Sequence, residues 1–396
     1  MTIPTEDELE QWVLEVLGEL GWTHVYGPDI DPESETPERD DWRVAILAGR
    51  VRAAVERLNP QLPPQAVADV VATVQRTESP LIESENWNAY RYLIGGVPVE
   101  YHDAEGRMRH DLAWLVDWQN PRANDLAAIN QFSIKGPKRM RRPDIMLFVN
   151  GLPLALFELK RPGKAYAKVE GAYRQVQTYR SQIPEAFKWN QICVVSDGLD
   201  AREGAFSEDW VHWAAWKTID GRIRDPKNID GLRIPQIEVL TRGLFAPEVF
   251  FDYVRNFIAT FGDGADTSKA IAKYHQYWAV RKAVSETLEA VETDGRIGVV
   301  WHTQGSGKSL EMAYYAGAIM RHPGMDNPTV IVLTDRNDLD DQLLTKTFLP
   351  TKPGSPLPET PVQAESRQHL KDLLAGRESG GIIFTTPDEH VPSIAP

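Results

Sequence analysis

Residues 141 to 162 read RRPDIMLFVNGLPLALFELKRP, and this stretch decides the fold of the first half of the chain. Two apolar runs flank an Asn-Gly pair, which favours a tight turn between antiparallel strands. The pattern therefore predicts a β-hairpin. Asp144 opens the first run, while Glu158 and Lys160 fall at the end of the second. Strands this apolar rarely carry charges that have no chemical use.

These three charges suit phosphate chemistry. Glu158 and Lys160 are two positions apart in a strand, so their side chains share one face. Carboxylate oxygens bind Mg²⁺, and a neighbouring lysine orients water or stabilises the charge on an attacked phosphate. Pro-Asp, a hairpin and Glu-x-Lys in this order resemble the PD-(D/E)xK nuclease signature. We predict Asp144, Glu158 and Lys160 as catalytic residues and Asp144, Glu158 and Leu159 as metal ligands. A structural ion-pair cluster is the alternative.

The nuclease interpretation places a demand on strand register. A two-residue turn would pair residue 144 with residue 157 and put Asp144 on the face opposite Glu158. A shift of one residue puts both carboxylates on the same face. We therefore expect a three-residue loop or a bulge within VNGLP (149–153), with Gly151 in a left-handed conformation.

Other residues are candidates for the same site. Gln175 and Tyr179 are four positions apart on a predicted helix and so lie on one face. They resemble the Gln-xxx-Tyr element of some nucleases, and we predict that they support catalysis; an ordinary half-exposed helix face is the alternative. Glu8 or Glu10, on the first predicted helix, is a candidate for an additional carboxylate.

Composition limits the class of protein. The 396 residues suffice for two or three domains, and 42% apolar with 25% charged residues is ordinary for a globular protein. The single cysteine, Cys193, excludes an internal disulfide, and no apolar run approaches the roughly 20 residues that span a bilayer. We expect a cytoplasmic protein with no membrane partner.

The charge distribution is uneven. A formal net charge of −14 disfavours extended nucleic-acid contacts, yet residues 135–142, KGPKRMRR, carry five basic side chains and no acidic one. A solvated loop is the usual outcome for such a run, and the alternative is a patch that contacts phosphates. The predicted DNA-contacting residues are Lys135, Lys138, Arg139, Arg141 and Arg142.

The order of predicted elements divides the chain into three parts. Residues 1–225 are predicted as an endonuclease domain whose mixed sheet is flanked by helices. Residues 226–268 are a connecting segment with one helix, PEVFFDYVRNFIATFG. From residue 269 the order is helix, strand RIGVVW, Gly-rich turn, helix and strand TVIVLT, which predicts a parallel sheet.

The Gly-rich turn, WHTQGSGKS, lies between a predicted buried strand and a helix. Glycines let main-chain N–H groups face phosphates, and the following lysine and serine suit phosphate and Mg²⁺. This helicase-type loop predicts an incomplete RecA-like parallel α/β motor lobe of superfamily 2 type in residues 269–396. A Gly-rich loop without a ligand is the alternative. The predicted cofactor-binding residues are Gln276 (reading adenine), Thr303, Gln304, Gly305, Ser306, Gly307, Lys308 and Ser309, with Ser309 also a metal ligand.

Two polar motifs follow the loop. Asp335 and Arg336 come after TVIVLT, at the strand edge where ligand loops of parallel sheets cluster. The triplet DEH at 388–390 has the composition of an acidic motor box. Because Thr385, Thr386 and Pro387 separate it from the preceding strand, we expect that it is not that box.

Taken together, the chain resembles the N-terminal part of the restriction (motor) subunit of type I restriction–modification enzymes. The resemblance runs through GGVPVEY, LVDWQNP, INQFSIKG, RRPDIMLFVNGLPLALFELKRP, YRQVQTY, ICVVSDG, KYHQYW, WHTQGSGKSL and TDRNDLDDQL. It implies an ATP-driven translocase of double-stranded DNA that cuts with Mg²⁺. It also implies assembly with modification and specificity subunits.

The sequence departs from the family pattern in two ways. Asp197, in VVSDG, stands where the family has asparagine. The acidic motor box, the second motor lobe and the assembly-contacting C-terminal region of the family have no counterpart here. The resemblance therefore implies an N-terminal fragment, from which we expect weak or no ATPase activity and no translocation.

Three other functions stay open. One is a nuclease–helicase of another class, which would cut DNA without methyltransferase partners. Another is an inert nuclease fold that only grips DNA. The third is a P-loop ATPase with a structural N-terminal domain, which would leave three nuclease-like elements to coincidence.

Overall fold

The computed structural model describes residues 5–161, 167–198, 200–222, 235–334, 344–349, 351–352 and 355–386. The chain divides into two compact units, Met1–Val254 with Asp263–Lys269 and Arg255–Gly262 with Ala270–Pro396. The domain boundaries predicted at residues 225 and 268 stay a prediction, because compactness alone does not identify independently folding segments.

The regular elements of the described residues are as follows. The α-helices are α1 (Glu6–Leu20), α2 (Ala48–Leu58), α3 (Pro64–Gln75), α4 (Ile82–Gly95), α5 (Ala167–Gln182), α6 (Gln236–Leu244), α7 (Pro247–Asn256), α8 (Tyr274–Val291), α9 (Lys308–Arg321) and α10 (Arg367–Ala375). The strands are β1 (Thr23–Tyr26), β2 (Val97–His102), β3 (Met108–Ala113), β4 (Leu126–Asn130), β5 (Ile134–Lys135), β6 (Met140–Arg141), β7 (Ile145–Val149), β8 (Leu152–Leu159), β9 (Ile192–Ser196), β10 (Ala201–Gly204), β11 (Ile258–Phe261), β12 (Ser268–Ile271), β13 (Val330–Leu333), β14 (Val362–Gln363) and β15 (Ile382–Thr385). None of the described helices is both long and apolar enough to cross a lipid bilayer.

A six-stranded sheet organises the first unit in the order β1-β4-β7-β8-β9-β10. The pairs β1–β4 and β8–β9 are parallel, and the other three pairs are antiparallel. Every residue of β7, β8 and β9 is buried, as expected of central strands with continuous apolar runs. The predicted mixed α/β sheet is thus confirmed, and the hairpin of β7 and β8 forms its centre.

Helix α5 covers one face of this sheet. Phe148 of β7, Leu156 of β8 and Val195 of β9 join Val176 of α5 in one buried cluster. Because side chains alternate between the faces of a strand, Glu158 follows Leu156 onto the same face. The packing of α5 therefore brings its side chains toward the carboxylate end of the hairpin.

Local sequence signals hold for most elements of the first unit. The first predicted helix is α1, and Gly21 ends it with a φ of +103°. Helices α3 and α4 were not predicted. The apolar run WRVAILAGRVRAAVERL (42–58) becomes helical only at Ala48, as α2. The predicted connecting helix ends at Asn256 and continues as strand β11.

The second unit contains a three-stranded parallel sheet in the order β13-β15-β14, which confirms the predicted parallel pairing. The predicted helix from Lys269 starts with β12 and becomes helical at Tyr274, as α8.

The predicted buried strand RIGVVW is wrong. Residues 296–301 pair with no strand among the described residues, and Val299 and Trp301 are 93% and 79% exposed. Gly298 has a φ of +96°, which interrupts the extended backbone that a strand needs. An apolar run becomes a buried strand only where a sheet edge and a covering layer accept it.

Candidate nuclease site and nucleotide loop

A β-bulge aligns the two carboxylates of the hairpin. Val149 pairs with Leu152, so the turn has two residues, and Gly151 has a φ of +83°. The register then shifts by one, because Leu147 pairs with Ala155 and leaves Leu154 as the extra residue of β8. Ile145 then pairs with Phe157, and the next pair in the same register is Asp144 with Glu158. The predicted bulge and the left-handed Gly151 are confirmed, but the predicted position is wrong, because the extra residue Leu154 lies one residue beyond VNGLP.

Asp144 is held against the main chain of β8. Its Oδ2 accepts a hydrogen bond of 2.5 Å from the Leu159 amide. Burial, together with the neighbouring Glu158 charge, raises the pKa of the Asp144 carboxyl to about 8. The carboxyl groups of Asp144 and Glu158 are therefore close enough to interact electrostatically, as is expected if both belong to one site.

Glu158 and Lys160 form a short ion pair. Lys160 Nζ lies 2.5 Å from Glu158 Oε1 and also donates to the Leu159 carbonyl at 3.1 Å. Burial raises the pKa of Glu158, although Lys160 opposes the shift. Burial lowers the pKa of Lys160, but the neighbouring carboxylates, Glu158 first and then Asp144 and Glu6, more than offset this, so its pKa is raised above the ordinary value. Lys160 is thus a fixed cation at neutral pH.

One oxygen of Glu158 lacks a hydrogen-bond partner among the described residues. The side chain is 2% exposed, and Oε2 is buried without a hydrogen bond to any described residue. Leaving a buried carboxylate oxygen unsatisfied is costly unless a ligand completes it.

Helix α5 supplies the predicted support. The Tyr179 side chain is buried and its hydroxyl donates to the Arg142 carbonyl at 3.4 Å. It lies close enough to Glu158 to lower the pKa of that carboxyl. Burial and the Glu158 and Asp144 charges raise the pKa of Tyr179. Its hydroxyl therefore remains a proton donor beside the carboxylates.

Helix α1 adds acidic residues, as the sequence suggested in part. Glu10 accepts hydrogen bonds from Asn130 Nδ2 at 2.7 Å and Gln131 Nε2 at 2.9 Å, and its charge acts on Asp144. Glu8 instead caps α1 and is exposed. Glu6, which was not predicted, lies 3.3 Å from Lys160 Nζ.

Asn130 and Gln131 were also missed, and the chain offered one signal for them. Asn130 ends the apolar strand β4 and Gln131 follows it. A polar pair there is out of pattern, and Gln131 has a φ of +57°. Non-glycine residues in that conformation cluster at functional sites.

Asp144 and Glu158 fit a single hard cation. The described residues contain no group of three or more His, Cys, Asp and Glu side chains placed to hold a metal ion. Two carboxylates and a main-chain carbonyl are nevertheless suitable oxygen donors for Mg²⁺, whose remaining ligands are usually waters. The unpartnered Glu158 Oε2 is the atom that such a cation would satisfy.

The basic run forms a short hairpin of β5 and β6. Gly136 leaves no room for a side chain beside the Gln182 carbonyl, and Arg141 donates to Gln182 Oε1 at 2.5 Å, so the hairpin is fixed to the end of α5. Its exposed basic residues are Lys135, Lys138, Arg139 and Arg142, while Arg141 is partly buried.

Asp197, the departure from the family pattern, completes a turn. Its Oδ1 accepts a hydrogen bond of 2.9 Å from the Asp200 amide. An asparagine oxygen is an equivalent acceptor, so the substitution preserves this turn.

The glycine loop precedes helix α9 as predicted. Gly305 and Gly307 have φ values of +80° and +82°, and Gly307 caps the helix. Lys308 and Ser309 are exposed in the first turn of α9. Lys308 Nζ donates to the carbonyls of His302 at 3.0 Å and Thr303 at 3.1 Å. Thr303 and Gln304 are exposed, and Ser306 is partly buried.

Gln276 contacts the loop's main chain. Its Oε1 accepts from the Lys273 amide at 2.8 Å, and its Nε2 donates to the Gly307 carbonyl at 3.1 Å. The side chain is buried, and its role in reading adenine stays a prediction. Asp335, Arg336 and the triplet at 388–390 lie outside the described residues.

Family comparisons agree with this division of sites. Residues 3–211, more than half of the chain, match the family model described as type I restriction enzyme R protein N terminus. Residues 275–390 match the model of the SWI2/SNF2 ATPase.

Curated relatives match almost the whole chain. It is 40% identical over 385 residues to the type I restriction enzyme HindI endonuclease subunit of Haemophilus influenzae, which covers 96% of this chain and 36% of the relative. It is 32% identical over 411 residues to the putative type I restriction enzyme MjaIXP endonuclease subunit of Methanocaldococcus jannaschii. This match covers 97% of this chain and 38% of the relative. The chain thus spans little more than a third of these relatives. On the match of its residues 3–211, it belongs to the family of type I restriction enzyme R protein N termini.

Proposed function

We propose that the first unit is a PD-(D/E)xK endonuclease domain that hydrolyses phosphodiester bonds of double-stranded DNA with Mg²⁺. The carrying observation is the bulge at Leu154, which puts Asp144 opposite the paired Glu158 and Lys160. A structural ion-pair cluster would not need the buried, unpartnered oxygen on Glu158.

Each side chain has a distinct role in this proposal. Asp144, Glu158 and the Leu159 carbonyl would hold the metal ion, which supplies Lewis-acid chemistry at the scissile phosphate. Lys160, a permanent cation, stabilises negative charge on the attacked phosphate. Tyr179, buried beside Glu158, would orient that carboxylate, and Gln175 would in turn orient Tyr179.

The second unit is proposed as part of an ATP-driven motor. The left-handed φ values of Gly305 and Gly307 support this proposal, because such glycines let main-chain N–H groups turn toward phosphates. Lys308 is exposed and donates to two main-chain carbonyls, so we infer that it transfers to the β and γ phosphates when nucleotide binds. Ser309 would hold the Mg²⁺ that accompanies ATP.

The partners follow from the same proposal. The relatives are named endonuclease subunits of type I restriction enzymes. We infer that the protein works in the cytoplasm with modification and specificity subunits that read the target sequence. The basic hairpin of β5 and β6 then contacts only DNA phosphates.

A cleavage assay tests both activities. The full-length restriction subunit is assembled with its partners, unmethylated plasmid, ATP and Mg²⁺. Asp144→Ala is expected to abolish cutting and to retain ATP hydrolysis, while Lys308→Ala loses both. Asp40→Ala and Lys282→Ala, two exposed positions, serve as matched controls.

The outcomes separate the alternatives. Cutting by the subunit without its partners would favour a nuclease–helicase of another class. Unchanged cutting by Asp144→Ala would favour an inert DNA-gripping domain. Loss of cutting with no effect of Lys308→Ala on ATP hydrolysis would remove the motor from the proposal.

A further inference from the structure

Two residues that flank the predicted nucleotide-contacting residues 303–309 contact each other. His302 comes directly before these residues, and Glu311 lies in the first turns of α9. His302 Nδ1 is 2.9 Å from Glu311 Oε2. The Glu311 side chain is 6% exposed, so this contact is largely shielded from water. The pair closes the base of the loop.

The same pair determines where Lys308 rests. Lys308 Nζ is bound by the main-chain oxygens of His302 and Thr303. Because the ring of His302 is fixed by Glu311, these two carbonyls have a defined position relative to α9. Lys308 is the first residue of α9. The contact between His302 and Glu311 therefore fixes both the main chain of Lys308 and the carbonyls to which its side chain donates.

A second set of contacts holds the apex of the loop from helix α8. His275 Nε2 lies 3.1 Å from the Ser306 carbonyl, and Gln276 Nε2 donates to the Gly307 carbonyl. The rings of His275 and His302 meet edge to face, with centroids 5.3 Å apart. The loop is therefore restrained at its base and its apex before any phosphate arrives.

We propose that His302 and Glu311 are positioning residues that preorganise the loop and Lys308 for nucleotide phosphates. This inference rests on the proposed binding of ATP by the loop. Ordering a free loop on binding would oppose affinity, since fixing each backbone residue costs conformational entropy. A pair that fixes the loop in advance removes part of that cost.

A structural role alone makes a different prediction. A pair that only stabilised the fold would lower the thermal midpoint and leave nucleotide affinity unchanged. One oxygen of Glu311, Oε1, is buried with no hydrogen bond to a described residue. A buried carboxylate with a purely structural role would normally have hydrogen bonds to both of its oxygens. Glu311 does not show this pattern among the described residues.

Nucleotide affinity tests the inference by a double-mutant cycle. The 396-residue protein is titrated with a fluorescent ATP analogue and Mg²⁺. Glu311→Ala and His302→Phe are each expected to weaken binding about tenfold, or ~1.4 kcal/mol. The double variant is expected to lose no more than the weaker-binding single variant, because both remove one interaction. Glu311→Gln, which keeps an acceptor oxygen for His302, restores most of the affinity.

Controls keep the result interpretable. Glu286→Ala, an exposed position on α8, is expected to bind like wild type, and thermal midpoints identify any variant that fails to fold. Should Glu311→Ala unfold, His302→Phe with Glu311→Gln completes the test. Additive losses, or unchanged affinity in both single variants, would overturn the inference. If Lys308→Ala also binds like wild type, the proposed nucleotide site itself fails.

Discussion

The carboxylate of Asp144 accepts a hydrogen bond from the amide of Leu159, with Oδ2 and N 2.5 Å apart. This bond joins the start of β7 to the end of β8, next to Glu158. It exists because the extra residue Leu154 shifts the register of the hairpin by one. Without that shift, Asp144 and Glu158 would occupy opposite faces of the sheet.

Divalent cations should stabilise the protein through Glu158. Cation binding to the folded state alone raises the free energy of unfolding by about 2.7 kcal/mol at one hundred times the dissociation constant. We expect Mg²⁺ or Mn²⁺ to raise the thermal midpoint of wild type but not of Glu158→Gln, as measured by calorimetry. Glu15→Gln, at an exposed position of α1, should respond like wild type. Equal responses in all three proteins would remove the cation from this site.

The turn of the hairpin should tolerate no side chain at Gly151. Its φ is +83°, and an added Cβ would crowd the Leu47 carbonyl. Gly151→Ala is expected to lower the free energy of unfolding by at least about 1–2 kcal/mol. Gly171, inside α5 with open space around it, provides the control. Gly171→Ala should stabilise by about 0.5–1 kcal/mol, and a harmless Gly151→Ala would contradict the turn geometry.

Lys269 should make stability depend on pH. Burial lowers its pKa to about 7, and its Nζ donates a hydrogen bond to the uncharged amide oxygen of Gln191 at 2.7 Å. Between about pH 7 and its ordinary value near 10.4, the unfolded chain keeps a proton that the folded chain releases. Stability therefore rises with pH across this window and is least at and below about pH 7.

The replacement Lys269→Met removes this dependence. Relative to wild type, the variant should gain on the order of 1–3 kcal/mol on going from pH 10 to pH 6.5, measured by urea unfolding at each pH. Lys217→Met, at an exposed position, should show no such change. A pH-independent difference between Lys269→Met and wild type would mean that Lys269 is not neutralised by burial.

Phosphate contacts by the basic hairpin should appear in the salt dependence of DNA binding. Each phosphate contact adds about 0.9 to the slope of log K against log salt concentration. Lys138→Ala and Arg139→Ala are each expected to reduce that slope by about one and to weaken binding equally for unrelated sequences. Arg52→Ala, exposed on α2, is the control. An unchanged slope would assign the run to a solvated surface.

Local patterns predicted the parts of the site that neighbours along the chain determine. The Asn-Gly turn, the apolar strands and the charges at 144, 158 and 160 were all visible in RRPDIMLFVNGLPLALFELKRP. The helical spacing of Gln175 and Tyr179 was visible too. The demand for a shifted register followed from strand alternation alone, although the bulged residue, Leu154, did not.

Long-range packing decided the remainder. Glu6 and Glu10 reach the site because α1 packs near β8, more than 100 residues away along the chain. Asn130 and Gln131 meet Glu10 for the same reason. No local rule reports such encounters, because their free energy comes from burying surfaces that are distant in sequence.

The sequence by itself thus determined the hairpin, its turn and the positions of the charged residues that flank it, since turn residues and strand alternation act within a few positions. Only the tertiary structure decided the position of the bulge, the acidic residues added by α1 and the exposure of residues 296–301. Those outcomes depend on whether a strand or helix that is distant in sequence offers a surface to pack against. The free energy of that packing, and not the local sequence pattern, decides them.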